Sequence, residues 1–86
     1  MQKVVRLEAV GQGDRLIIYV TPELFDTLKK PNGWVDNDAV LSLAEDESGG
    51  LPEGVLLYTY EAWEERDFLK NNDVEILEDV EGLYIY

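Results

Sequence analysis

Arg15-Leu16-Ile17-Ile18-Tyr19-Val20-Thr21-Pro22-Glu23-Leu24-Phe25-Asp26-Thr27-Leu28 is the stretch that decides the fold. Its first six residues are apolar, β-branched or aromatic after the arginine, the composition of a buried strand. Thr21 then offers a hydroxyl to cap a helix, and Pro22 suits the first helical position, where its missing N–H costs nothing. Leu24, Phe25 and Leu28 form one apolar stripe. Glu23 and Asp26 favour the positive end of the helix dipole, and Lys29 and Lys30 the negative end. The expected helix runs over residues 22–30 and stops at Pro31-Asn32-Gly33.

Working outward, Lys3 to Val10 alternates as a strand does, and Gly11-Gln12-Gly13-Asp14 suits a hairpin turn back into residues 15–20. The pattern then echoes. Val55-Leu56-Leu57-Tyr58 matches Leu16-Ile17-Ile18-Tyr19 in residue class, and each is followed by a helical segment ending in Leu-Lys. The second helix is expected over Glu61 to Lys70, with Ala62, Trp63 and Leu69 inward. Strands are expected at Ala39 to Ala44, Val74 to Leu77 and Leu83 to Tyr86, the last two flanking an acidic turn at Glu78 to Gly82. Trp34 to Asp38 reads as a connector and Glu45 to Gly54 as an acidic loop. A strand–helix–strand unit used twice is the ferredoxin-like split βαβ order. The expected fold is therefore one α+β domain over residues 1–86. It has a mixed or antiparallel sheet with two short helices on one face, a βαββαβ core at about 15–77 and extra strands at both ends.

The 86 residues include no His and no Cys. That removes disulfides, thiolate chemistry, Cys- or His-ligated metals and any imidazole base. No cofactor, catalytic residue or metal is assigned. Asp36-Asn37-Asp38 and Glu45-Asp46-Glu47 are hard-oxygen ligands by type, but the glycine and terminal glutamate of a calcium loop are missing after Asp36. Gly11-Gln12-Gly13 lacks the lysine and the helix N-terminus that a phosphate cradle needs. With 19 acids, some carboxylates fall at hydrolase spacing by accident, and so small a domain has little room for a substrate cleft of roughly 300 Å³ or more. The expectation is a protein that is not an enzyme.

Charge is the feature that points to a role. Seven Lys and Arg face 19 Asp and Glu, a net −12. Residues 1–43 hold five cations and six acids, while residues 44–86 hold two cations and 13 acids. Such a chain is repelled by nucleic acid and by anionic membranes, and its beginning has no apolar segment of secretory type. A cytoplasmic protein, monomeric or homodimeric, is expected, with a basic protein surface as its partner. The candidate partner-binding residues are Glu61, Glu64, Glu65, Asp67, Glu75, Glu78, Asp79 and Glu81, with Tyr60 and Tyr84 as aromatic anchors. Trp63 and Tyr86 lie in the same half.

In size and charge, though in no motif, the chain resembles DNA-mimicking inhibitors of bacteriophages, which include anti-restriction, anti-CRISPR and glycosylase-inhibitor proteins. That resemblance implies an acidic surface that occupies a basic nucleic-acid-binding groove on a partner protein. A second resemblance rests on Arg15 to Leu24 followed by Asp36-Asn37-Asp38-Ala39-Val40-Leu41-Ser42-Leu43. This order is similar to the swapped-hairpin AbrB/MazE DNA-binding domain over about residues 13–44. The basic residues of DNA contact are missing, and Lys29 to Trp34 would be an insertion. It implies a dimeric antitoxin-like regulator whose acidic half neutralises a toxin. A third expectation is a structural subunit that adds an edge strand to an assembly through Val4 to Val10 or Leu83 to Tyr86.

Overall fold

The hairpin expected around Gly11 to Asp14 is the start of the sheet. In the computed structural model, which describes residues 1–11, 13–31, 35, 39–40 and 53–84 (the last three of these by backbone alone), β1 spans Gln2–Gly11 and β2 spans Asp14–Val20. They pair antiparallel with Val5 opposite Val20, Leu7 opposite Ile18 and Ala9 opposite Leu16. Gly13 takes a φ of 86° in the turn, a conformation that glycine reaches without the steric cost of a side chain.

Helix α1, Pro22–Leu28, follows directly. Thr21 caps it as its sequence suggests, the Leu24 N–H donating to its Oγ1 at 3.2 Å. The helix is two residues shorter than the expected 22–30. Lys29 is extended, and it bridges to Val35. Pro31 accounts for part of this, because a proline disfavours helical geometry at the residue before it, Lys30. Phe25 and Leu28 are buried and Leu24 half-buried, so the stripe is the packed face.

Strand β3, Val55–Thr59, pairs antiparallel with β2. Helix α2, Ala62–Asn71, then crosses to β4, Val74–Tyr84, which pairs parallel with β1. The result is a small α+β domain with a four-stranded mixed sheet in the order β3-β2-β1-β4. β3 and β4 run parallel to each other at the two edges, with β2 and β1 between them. The β3–α2–β4 connection is thus a split βαβ unit, and that half of the expected pattern is present. The other half is not. The connection carrying α1 joins antiparallel neighbours, and Ala39 and Val40 are helical where a strand over Ala39 to Ala44 was expected. Residues 41–44, the Trp34 and Asp36 to Asp38 segment and most of the acidic loop lie outside the described residues.

Two further expectations are corrected. The helices lie on opposite faces of the sheet, not on one. Strand side chains alternate between faces. Val5, Leu7, Ala9, Leu16, Ile18 and Val20 therefore share a cluster with Phe25 and Leu28 of α1, whereas Val4, Ile17 and Tyr19 pack with Phe68 of α2. The central strands are consequently buried on both sides, which is why residues 16–20 read as a continuous apolar run. The second correction concerns the C-terminal half of the chain. Residues 74–84 form one strand, and Glu78 to Gly82 continue it instead of turning. An edge strand tolerates charged side chains because one side of it meets solvent. Glu78 and Asp79 hold register opposite Val5 and Arg6, and Leu83 and Tyr84 opposite Ala9 and Val10.

Gly54 has a φ of 89° and closes the approach of the chain to α1. Its carbonyl accepts from the Thr21 N–H at 2.8 Å, and a Cβ there would stand 3.0 Å from the Leu24 Cβ.

Candidate functional site

The alternation of β1 places Arg6 and Glu8 on the face that α2 covers, opposite Tyr19 and Ile17 of β2. A lone guanidinium under a helix is costly unless its donors are met. Here three carboxylates meet them. The Nε of Arg6 donates to Glu65 Oε2 of α2 at 2.7 Å, Nη1 to Asp79 Oδ1 of β4 at 2.9 Å, and Nη2 to Glu8 Oε2 at 2.9 Å. The Tyr19 hydroxyl donates to the same Glu65 oxygen at 2.6 Å. Arg6 thereby ties β1 to the helix and the edge strand, and Tyr19 joins β2 to the same Glu65 carboxylate.

The electrostatics follow from these contacts. Burial works against the charge on Arg6, but its hydrogen bonds to Glu65, Asp79 and Glu8 outweigh it and hold the guanidinium ionised. Burial also works against ionisation of Glu65. Donation from Arg6 and Tyr19, with the field of Arg6 and Arg15, more than offsets it and pulls that carboxyl below its ordinary value. Tyr19 is pushed upward by burial and by the Glu65 carboxylate it serves. The like-charge spacing of Glu61 and Glu65 does not strain the helix as an exposed pair would, because Glu65 turns inward to Arg6.

The remaining expected site residues divide by position. Glu61, Asp67, Glu75, Glu78, Asp79 and Glu81 are exposed, and Glu64 is half-buried. Glu78 lies 3.9 Å from Lys29, on the α1 side of the sheet, while Asp79 turns to the α2 side. The acids of β4 therefore straddle its edge instead of sharing one face. Tyr60 is exposed, and its hydroxyl sits 3.2 Å from that of Tyr58, the rings edge-to-face at 5.8 Å. Burial and that hydrogen bond push Tyr58 up to about 12. Tyr84 is on β4 opposite Val10, and Tyr86 lies outside the described residues.

Sequence reasoning missed Arg6, Glu8 and Tyr19 as members of this cluster. The available signal was a charged pair two apart inside an apolar alternating strand, which argues for a buried ion pair. Trp63 and Leu69, expected inward, are 58% and 37% exposed. Phe68 carries the packing in their place, its ring 5.2 Å from that of Tyr19. β1 is paired on both sides, so strand addition through Val4 to Val10 is ruled out.

The fold also forms a concavity larger than the sequence argument allowed, an open groove of about 460 Å³ lined by Thr21, Glu23, Leu24, Thr27, Glu53 and Gly54. Its hydroxyls are already committed: Thr21 caps the helix, and Thr27 donates to the Leu24 carbonyl at 2.7 Å. Among the described residues no group of acidic side chains is arranged to hold a metal ion, and no helix is long and apolar enough to cross a membrane.

Fold and site together define a small acidic α+β domain whose carboxylates concentrate on one helix and one edge strand. No protein family matches this chain, and neither does any curated protein or solved structure.

Proposed function

We propose that this chain is a non-enzymatic binding module, an acidic inhibitor of the DNA-mimic type that occupies the basic nucleic-acid-binding groove of a partner protein. It works in the cytoplasm, without cofactor or metal, as a monomer or homodimer, and contacts neither nucleic acid nor membrane directly. The observation that carries this reading is the clasp of Arg6 on Glu65 and Asp79. It draws the acid-bearing helix and the acid-bearing strand to one guanidinium. Over residues 61–81 nine carboxylates face two cations, Arg66 and Lys70. Glu61, Asp67, Glu75 and Glu81 stay exposed. Charge of one sign spread over adjoining elements attracts a cationic groove and speeds encounter, and Tyr60 supplies the apolar contact from which affinity is drawn.

The test uses a cationic nucleic-acid-binding protein recovered from lysate by the wild-type chain. Its affinity is measured at low and high salt, with duplex DNA as competitor, for wild type and for Glu61→Lys/Asp67→Lys/Glu75→Lys. Binding should weaken with salt as the Debye length falls below about 8 Å, weaken with charge reversal, and be displaced by DNA. An affinity indifferent to both salt and charge reversal overturns the proposal.

A further inference from the structure

β4 is an edge of the sheet. Its 11 residues pair with β1 on one side, and among the described residues no strand lies on the other. Successive main-chain N–H and C=O groups of a strand point to alternate sides, so about half of those in β4 face outward. A row of such groups is a template for another strand.

The side chains decide which strand it can be. Glu75, Glu78, Asp79 and Glu81 are all exposed along this edge. Pairing with the β4 of a second copy would set these carboxylates among their own kind, and like charges facing across a ladder are destabilising. The edge is therefore closed to itself. A strand with Lys or Arg at alternate positions carries its cations on one face, and on the α1 side of the sheet those cations would meet Glu75, opposite Lys3, and Glu78, opposite Val5. Glu78 and Asp79 keep part of their charge turned to Lys29 and Arg6, while Glu75 is exposed at the start of the strand. Ile76 and Leu77, 42% and 45% exposed, add apolar surface between the acids. Leu77 is the extra residue where the register slips, with Ile76 opposite Val4 and Glu78 opposite Val5. A bulge of this kind adds local twist and limits the length of regular pairing.

We propose that the outer edge of β4, from Val74 to Val80, accepts a short extended cationic segment of a partner protein as a fifth strand. This rests on the reading of the chain as an acidic binding module and specifies how the partner engages it: main-chain hydrogen bonds supply affinity and alternating cations supply selectivity.

Three heptapeptides test it against the full-length chain, with amide hydrogen exchange and NMR as readouts. The first alternates Lys with Val, the second is identical but N-methylated on alternate amides, and the third carries Glu for Lys. The first should bind and slow exchange of alternate β4 amides between residues 74 and 80. N-methylation, which removes several donors while leaving the charge, should weaken binding by at least about tenfold, equivalent to about one net hydrogen bond. The Glu peptide should not bind. Equal binding by the N-methylated peptide overturns the strand addition while leaving the acidic docking surface standing. Failure of every cationic peptide overturns both, and protection confined to α2 overturns the choice of edge.

Discussion

Glu65 is the one acid of the second helix whose contacts specify the fold. Its Oε2 accepts from both Arg6 and Tyr19, and only 15% of its side chain meets solvent. Breaking a partly buried pair from one end leaves the other end with its desolvation cost. Glu65→Gln keeps the shape and removes the charge, so at neutral pH it should lower stability by about 1–3 kcal/mol. The pH dependence has a definite sign. The folded-state pKa of Glu65 lies below its unfolded value of roughly 4.3. Its contribution is thus present above that unfolded value and is lost as pH falls through the folded one. The gap between wild type and Glu65→Gln, measured by urea denaturation, should be full at pH 7 and closed at strongly acid pH. An unchanged gap would mean that the side chain acts by shape alone.

At the scale of elements, what could be read from the sequence was what is local. The β1–β2 hairpin, the Thr21 cap, the Pro22 start and the Phe25–Leu28 face each depend on residues a few positions apart, and each is present. Elements set by distant partners were misread. The inward face of α2 depends on Arg6, 59 residues away from Glu65, and on the ring of Tyr19. An apolar stripe through Ala62, Trp63 and Leu69 was the natural local reading, but the sheet beneath presents a guanidinium and a phenol. A helix bearing a carboxylate at 65 and a ring at 68 meets both. The continuity of β4 was hidden for the same reason, since its acids look like a turn until Arg6 and Lys29 are placed beside it. The candidate acids were visible as composition, but their split across an edge was not. These assignments can be checked by paired substitutions. Phe68→Ala should cost about 1–3 kcal/mol, less than a fully buried phenylalanine, because Phe68 is half-buried. Trp63→Ala, despite the larger side chain, should change stability by no more than about 0.5 kcal/mol. The reverse ranking in thermal melts would return Trp63 to the core and displace the face assigned to α2.

The whole molecule holds a small core against a net charge of −12. Central strands buried on both faces supply most of the cohesion, while the acids repel one another at neutral pH. A domain of this size has a margin of only roughly 0.05–0.15 kcal/mol per residue, so that repulsion is a measurable fraction of it. Two effects then compete as the solution is acidified. Net charge shrinks toward the isoelectric point near 4.1, which relieves the repulsion. The Arg6 cluster persists through the same range, because Glu65 holds its ionised form below the ordinary carboxylate value. Stability should therefore rise as pH falls from 7 toward the isoelectric point, and be lost again as pH falls through the folded-state pKa of Glu65. Salt should mimic the first effect and not the second. Adding sodium chloride at pH 7 should raise the melting temperature, each 1 kcal/mol gained being worth about 4–8 °C in a domain of this length. The same addition near the isoelectric point should do much less. Calorimetry over a grid of pH and salt separates the two effects. A monotonic loss of stability from pH 7 to pH 4, with no response to salt, would mean that the surface acids are individually compensated, and would remove the electrostatic basis for a cationic partner.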